Sequence, residues 1–154
     1  MDLNNQLDYT DKAILGCLSD DSRRSYVEIA NELKISNSLV HQRIRKMKTS
    51  GLIKKAGLQI NEKVLGYHAC SFTGIVLREA HYAQKVVDEL EKIPEVVECD
   101  FVSGKYAVFI KIYAANNEHM REVLYEKIHC IEGVSGTDTF ISFGSQFRRE
   151  APIK

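Results

Sequence analysis

The sequence predicts an α+β chain of two units. Three observations carry that prediction: helical apolar stripes in the first sixty residues, alternating strand and helix patterns from Tyr67 onward, and a charge balance that changes sign between the two stretches. A length of 154 residues suits one ordinary domain or two small ones. The 21 basic and 21 acidic side chains cancel, but unevenly. Residues 1–60 hold ten bases and seven acids, a net +3, whereas residues 61–154 hold eleven and fourteen, a net −3. From Ser36 to Asn61 there is no acid at all, against Arg43, Arg45, Lys46, Lys48, Lys54 and Lys55. Such a run is a solvated face or a surface for a polyanion.

The elements follow in order. Asp8 caps a first helix from Tyr9 to about Leu18, with Ile14, Leu15 and Leu18 as its stripe and Asp11 in the favourable first turn. Ser25 and Glu28 have capping-box spacing and open a second helix carrying Val27, Ile29, Ala30 and Leu33. Lys34-Ile35 breaks it. Ser36 caps a third helix in which Val40, Ile44 and Met47 recur at helical spacing before Gly51. Beyond it, LIKKAGLQI alternates loosely around Ala56-Gly57, as a small hairpin does.

Two helices joined by a turn of about four residues, the second basic outside, form a helix-turn-helix; a following hairpin makes it winged. A reading helix buries one stripe to be held rigidly and turns polar and cationic side chains outward to reach base edges. With Val40, Ile44 and Met47 inward, Asn37, Ser38, His41, Gln42 and Arg45 point outward. Asn and Gln pair bidentately with adenine and Arg with guanine, so the face has the required chemistry. Lys46 belongs to the same basic helix, and Lys54 and Lys55 are either phosphate contacts or solvated charges. Arg43 has two roles open, DNA contact or packing of its stem against the hairpin. Ser36 is first a cap, at a helix N-terminus that also suits a phosphate.

From Tyr67 the period changes. YHACSFTGIVL is a strand, His81 to Ile93 an amphipathic helix with Val86, Leu90 and Ile93 inward, and Pro94 stops it. EVVECDFVS and YAVFIKIYA are strands flanking the turn at Gly104-Lys105. Asn116 or Asn117 caps a helix with Met120, Leu124, Ile128 and Ile131, and VSGTDTFISF is the closing strand. This βαββαβ order is the ferredoxin-like arrangement, a four-stranded antiparallel sheet with both helices on one face. Tyr106, Val108, Ile110 and Ile112 form one face of their strand, and Phe109 and Tyr113 make the other apolar as well, interrupted by Lys111. Two helices cover only one face, so a homodimer joined sheet to sheet is expected. The expected domains are residues 1–60, a connection at 61–66, and residues 67–154.

Several classes are disfavoured. No apolar run approaches the roughly 18 to 20 residues of a membrane span, and MDLNNQLDYTDK lacks the pattern of a signal peptide, so a soluble cytoplasmic protein without a membrane partner is expected. Cys17, Cys70, Cys99 and Cys130 form no CxxC pair, and reduced, mostly buried thiols are expected. Glu98 and Asp100 share a strand face but have no accompanying nucleophile or metal set. His119 and Cys130 complete no zinc pattern. GxSxG, HExxH and phosphate-binding glycine loops are missing, so neither an enzyme nor a metal or other cofactor is expected.

The run LDYTDKAILGCLSDDSRRSYVEIANELKISNSLVHQRIRKMKTSGLIKK, then LG, VSGKYAVFIKI and IEGVSGTDTFISF, resembles the Lrp/AsnC family of feast/famine transcription regulators across essentially the whole chain, and most of all its asparagine-responsive AsnC branch. The resemblance implies dimers paired through the C-terminal sheet, four dimers in an octameric disc, and an amino-acid effector between dimers near the hairpin joining the second and third strands. Here that hairpin is Ser103-Gly104-Lys105-Tyr106-Ala107, with Gly104 either a simple turn glycine or a ligand contact. Asn117 and the final strand, with Thr137, Thr139, Phe140 and Ser142, map to other effector-responsive positions. Many members carry Asp where this chain has Ala107, which can neither meet an ammonium nor fix the hairpin. The AsnC branch tends to lack that Asp, which favours asparagine over leucine. Backbone amides near Gly104 remain for the ligand carboxylate, and carbonyls or hydroxyls of the last strand for the amine. The function expected is a sequence-specific regulator that binds double-stranded DNA and answers to a free amino acid. The alternatives are a ligand-independent architectural DNA protein of the same fold and a metabolite-binding interaction module.

Overall fold

The computed structural model describes residues 7–55, 57–58 and 60–153. The chain forms two compact units, one from the described residues through Leu58 together with Arg148–Ile153, the other from Ile60–Phe147. Where the sequence suggested a second domain of 67–154, its last residues group with the helical unit.

The helical unit holds α1 (Tyr9–Asp20), α2 (Tyr26–Leu33) and α3 (Asn37–Thr49). At α1, Asp8 accepts from the Asp11 backbone N–H at 2.9 Å while Asp11 accepts from that of Asp8 at 3.3 Å, a complete capping box. The helix runs two residues past the expected Leu18, with Ile14 and Cys17 buried and Leu15 and Leu18 at the margin of the core. Ser25 and Glu28 close the box of α2; Val27, expected inward, is exposed, and Ile29 and Ala30 carry the stripe. Ser36 accepts from the Leu39 N–H at 3.2 Å to cap α3, whose Val40, Ile44 and Met47 are buried against α1 and α2.

The small hairpin after Gly51 is not regular strand: among the described residues of 51–60 there is none, and Ala56 and Gln59 lie outside them. Among the described residues of this segment only Ile53 packs on the core, while Leu58 and Ile60 are exposed, and a ribbon that buries so little is marginal.

The second unit contains β1 (Ala69–Leu77), α4 (Ala83–Leu90), β2 (Val96–Phe101), β3 (Val108–Ala114), α5 (Asn117–Glu122) and β4 (Val134–Ile141). The sheet is antiparallel in the order β2-β3-β1-β4. A 3-10 turn at Ala80–Tyr82 replaces the first turn of the expected 81–93 helix, and α4 ends by Leu90. Asn116, not Asn117, caps α5, accepting from the His119 N–H at 2.9 Å. The wider π turn of Val123–Ile128 continues α5, so Val123 joins Met120 and Ile128 in the core while Leu124 sits at its edge. Val108, Ile110, Ile112 and Ala114 face the helices together with Ser71, Thr73 and Ile75. Tyr106 does not share that face: its ring lies over Gly74, on the opposite side of the sheet. A Cβ at Gly74 would stand 2.5 Å from the Tyr106 ring, so only glycine admits it.

The thiols also differ from expectation. All four cysteines are free, but only Cys17 is buried; Cys99 sits on the edge strand β2 and Cys130 in the turn after the π segment, both exposed.

Candidate nucleic-acid interface and ligand-binding unit

The reading helix is set by its buried stripe and by an ion pair. Arg43 Nη1 donates to Asp8 Oδ2 at 2.6 Å and lies 3.2 Å from both carboxylate oxygens of Asp11, whose side chain is 2% exposed. The Asp11 N–H, Arg43 and the Thr10 N–H hold the Asp8 carboxyl below its ordinary pKa, and the Asp8 hydrogen bond raises that of Arg43. The Arg43 guanidinium thus ties α3 to the start of α1, a partnership distinct from both roles the sequence left open.

The turn between α2 and α3 pivots on Lys34, a non-glycine residue in the left-handed region at φ 55° whose N–H closes α2. From there Ser36, Asn37, Ser38, His41, Gln42, Arg45 and Lys46 are all exposed. The Ser36 and Ser38 hydroxyls are 3.1 Å apart, and the His41 ring meets Tyr26 edge-on at 4.6 Å, which steadies the imidazole at the helix surface. Gln42, Arg45 and Lys46 share a shallow depression with Thr49 and Ser50. Lys54 and Lys55 are exposed on the segment that follows. The arrangement can therefore present amide, imidazole and guanidinium groups to base edges, with ammonium groups alongside for phosphates.

In the sheet unit, Gly104 turns the hairpin at φ 121°. Tyr106 OH donates to Asp138 Oδ2 at 2.8 Å, and Lys105 Nζ binds the same oxygen. Lys105 first and Tyr106 second hold the Asp138 carboxyl below its ordinary pKa, and Asp138 raises that of Lys105. Ala107 uses its backbone, its N–H donating to Ile75 O at 3.0 Å and its C=O accepting from Val102. The Thr137 hydroxyl is 2.7 Å from His129 Nε2, and the Thr139 hydroxyl 3.0 Å from that of Thr73. Phe140 lies on the face away from the helices, opposite Phe72.

These residues do not converge within one chain. Thr137 pairs with Ile75 and Ile75 with Val108, at the hairpin end of the sheet. Asn117 follows β3, and the Ser142 N–H donates to Cys70 O, beside Tyr113, at the other end. β3 separates the two groups by about 20 Å. Asp138, His129 and Asp8 were missed by sequence reasoning; only Asp8-x-x-Asp11 carried a signal, as a cap. Among the described residues, no group of His, Cys, Asp and Glu could hold a metal ion, and no helix is long and apolar enough to cross a membrane.

A helical unit with an outward reading helix, joined to a sheet unit of this topology, defines a DNA-binding transcription regulator with a ligand-binding domain, not an enzyme. Family models agree unit by unit: residues 7–54 match a winged helix-turn-helix DNA-binding domain and residues 71–152 the Lrp/AsnC ligand binding domain. The chain belongs to the Lrp/AsnC family. It is 36% identical over 144 residues to the regulatory protein AsnC of Haemophilus influenzae, covering 94% of this chain and 96% of that one. The solved structure of Escherichia coli AsnC matches with a TM-score of 0.88 at 32% identity, covering 94% and 97%. At 23% identity, a feast or famine regulatory protein of Mycobacterium tuberculosis, solved with L-methionine, shares the fold with a TM-score of 0.89 over 96% and 99%.

Proposed function

We propose that this protein is a sequence-specific regulator whose hold on DNA changes with a free amino acid, asparagine foremost, and that it works in the cytoplasm as a homodimer assembling to an octamer. The observation that carries the DNA half is the exposed stripe of Asn37, Ser38, His41, Gln42 and Arg45 directly behind the buried Val40, Ile44 and Met47. Ser36, Lys46, Lys54 and Lys55 add phosphate contacts, and Arg43 positions the helix. Three or four such contacts per subunit give about 6 to 8 per dimer and a log-log salt slope of roughly −5 to −7.

Asparagine is favoured by identity of 33–36% to proteins named AsnC, over at least 90% of this chain. The methionine bound to the M. tuberculosis regulator makes that amino acid the natural competitor. Gly104, Lys105, Tyr106, Ala107 and Thr137 at one end of the sheet, Thr139 at its middle opposite Thr73, and Asn117 and Ser142 at the other end supply the effector positions, with Phe140 on the open face. Their separation favours a site shared between copies. The exposed Phe72 and Phe140, paired side by side across β1 and β4, with Lys111 Nζ on the far side of Phe72 at 5.7 Å from its ring centroid, favour pairing through the open face.

Selection of bound DNA from a random pool, with and without asparagine, tests the proposal. An enriched motif whose affinity shifts with asparagine, by a coupling of about 1 to 3 kcal/mol, is expected. No motif under either condition refutes the regulator; a motif indifferent to every amino acid leaves an architectural protein. Calorimetric titration against asparagine, leucine, lysine, glutamine and methionine identifies the effector, and preference for leucine or methionine refutes asparagine.

A further inference from the structure

The last segment of the chain does not stay with the sheet it leaves. β4 ends at Ile141, and from Arg148 the chain groups with the helical unit. There Arg148 and Arg149 line one groove with Lys55, Gly57 and Leu58, in the segment that follows the reading helix, and with Gly16 and Asp20 of α1. Both arginines are exposed.

This grouping redraws the charge map. Residues 148–154 hold three cations and one acid. Counted with residues 1–59, they bring the helical unit to thirteen bases against eight acids, a net +5 in place of +3. Residues 60–147 keep eight bases against thirteen acids, a net −5. The groove itself has three cations, Lys55, Arg148 and Arg149, against the carboxylates of Asp20 and Glu150. Two guanidinium groups and an ammonium lining one groove suit a phosphodiester backbone, for which arginine and lysine are the usual partners.

We infer that the C-terminal segment is part of the DNA-binding surface, with Arg148 and Arg149 contacting backbone phosphates beside those held by Lys54 and Lys55. The inference rests on the reading of those lysines as phosphate contacts. It assigns the two arginines to affinity and not to sequence choice, since phosphate contacts carry no base information.

The test is the full-length R148Q/R149Q variant on a duplex selected by the wild type, with affinity measured by fluorescence anisotropy across a salt series. The expected slope is shallower by about 0.9 for each phosphate that is no longer neutralised, so by about 1.8 per protomer. The selected motif and the melting temperature stay the same, and R148K/R149K restores most of the slope. An unchanged slope overturns the inference. A lowered melting temperature with weakened affinity in both double variants also overturns it, because the segment is then a brace only. K54Q/K55Q, run alongside, tests the reading beneath. A slope lowered by the lysine pair and not by the arginine pair overturns the tail alone; a slope that neither changes removes the whole segment from the DNA surface.

Discussion

Replacing Arg43 with methionine, which keeps most of the side-chain volume but removes the guanidinium, separates a structural post from a DNA contact. In the wild type, Arg43 Nη1 reaches Asp8 at 2.6 Å and both oxygens of Asp11 at 3.2 Å. Asp8 is half-exposed, so its share is screened; the Asp11 side chain is 2% exposed and is not. Without Arg43, Asp11 keeps one donor, the Asp8 N–H at 3.3 Å. A hydrogen bond to a charged group contributes about 1.5–3 kcal/mol, and removing one partner of a buried pair costs about 3–5 kcal/mol. Arg43 is itself partly exposed, so about 2–3 kcal/mol is expected, a fall of about 8–24 °C in the melting temperature of the helical unit. Adding D11N to R43M should recover about half of the loss, because the buried charge goes with its partner. Thermal melts by circular dichroism and a salt series of DNA affinity give the two readouts. A variant that melts like the wild type but has a shallower salt slope would refute the reasoning and put Arg43 on the phosphate backbone.

Gly74→Ala should destabilise the sheet unit by about 1–3 kcal/mol, read as a shift in urea midpoint, because the new methyl meets the Tyr106 ring at 2.5–2.7 Å; G74A/Y106A should lose less than the sum, and additive losses would show that the ring yields freely. Ser36→Ala removes the acceptor of the Leu39 N–H and should cost about 1 kcal/mol by the same measurement, with Ser36→Gly costing less. The lowered Asp138 pKa fixes the sign of an acid effect. The carboxylate's contribution to stability is complete above its ordinary value of 3.8 and is lost as the pH falls through the lower folded value, so D138N should flatten the acid limb of a stability profile. A profile unchanged by D138N would disconnect the hairpin tie from stability.

Much of the fold was legible because its signals are local. The caps at Asp8 and Ser36 and the box spacing of Ser25/Glu28 place three helix starts from sequence alone, and strict alternation over Val108, Ile110 and Ile112 marks the inner face of β3. The π turn was not legible, since Leu124 and Ile128 fit an α spacing that the backbone abandons. Tyr106 stands on the face opposite to the one its spacing from Val108 predicts, because it lies in the turn before β3, where the pleat no longer applies. The outward stripe of α3 was found by subtraction of its core. Arg43 escaped that logic because its partners lie more than 30 residues away, on α1. Asp138 escaped for the same reason: Tyr106 reaches it across two strand pairings.

The order β2-β3-β1-β4 leaves β2 as an edge. That strand carries Glu98 and Asp100, and its pairing with β3 shifts register between Val96 and Glu98. Charge and irregularity on an edge discourage addition of a further strand. The β2 side is therefore poorly suited to lengthening into a ribbon of copies, and a neighbour that joins this unit has the broad face on which to settle. The same two carboxylates, which have no nucleophile or metal set beside them, thus find a use in keeping that edge from pairing with another chain.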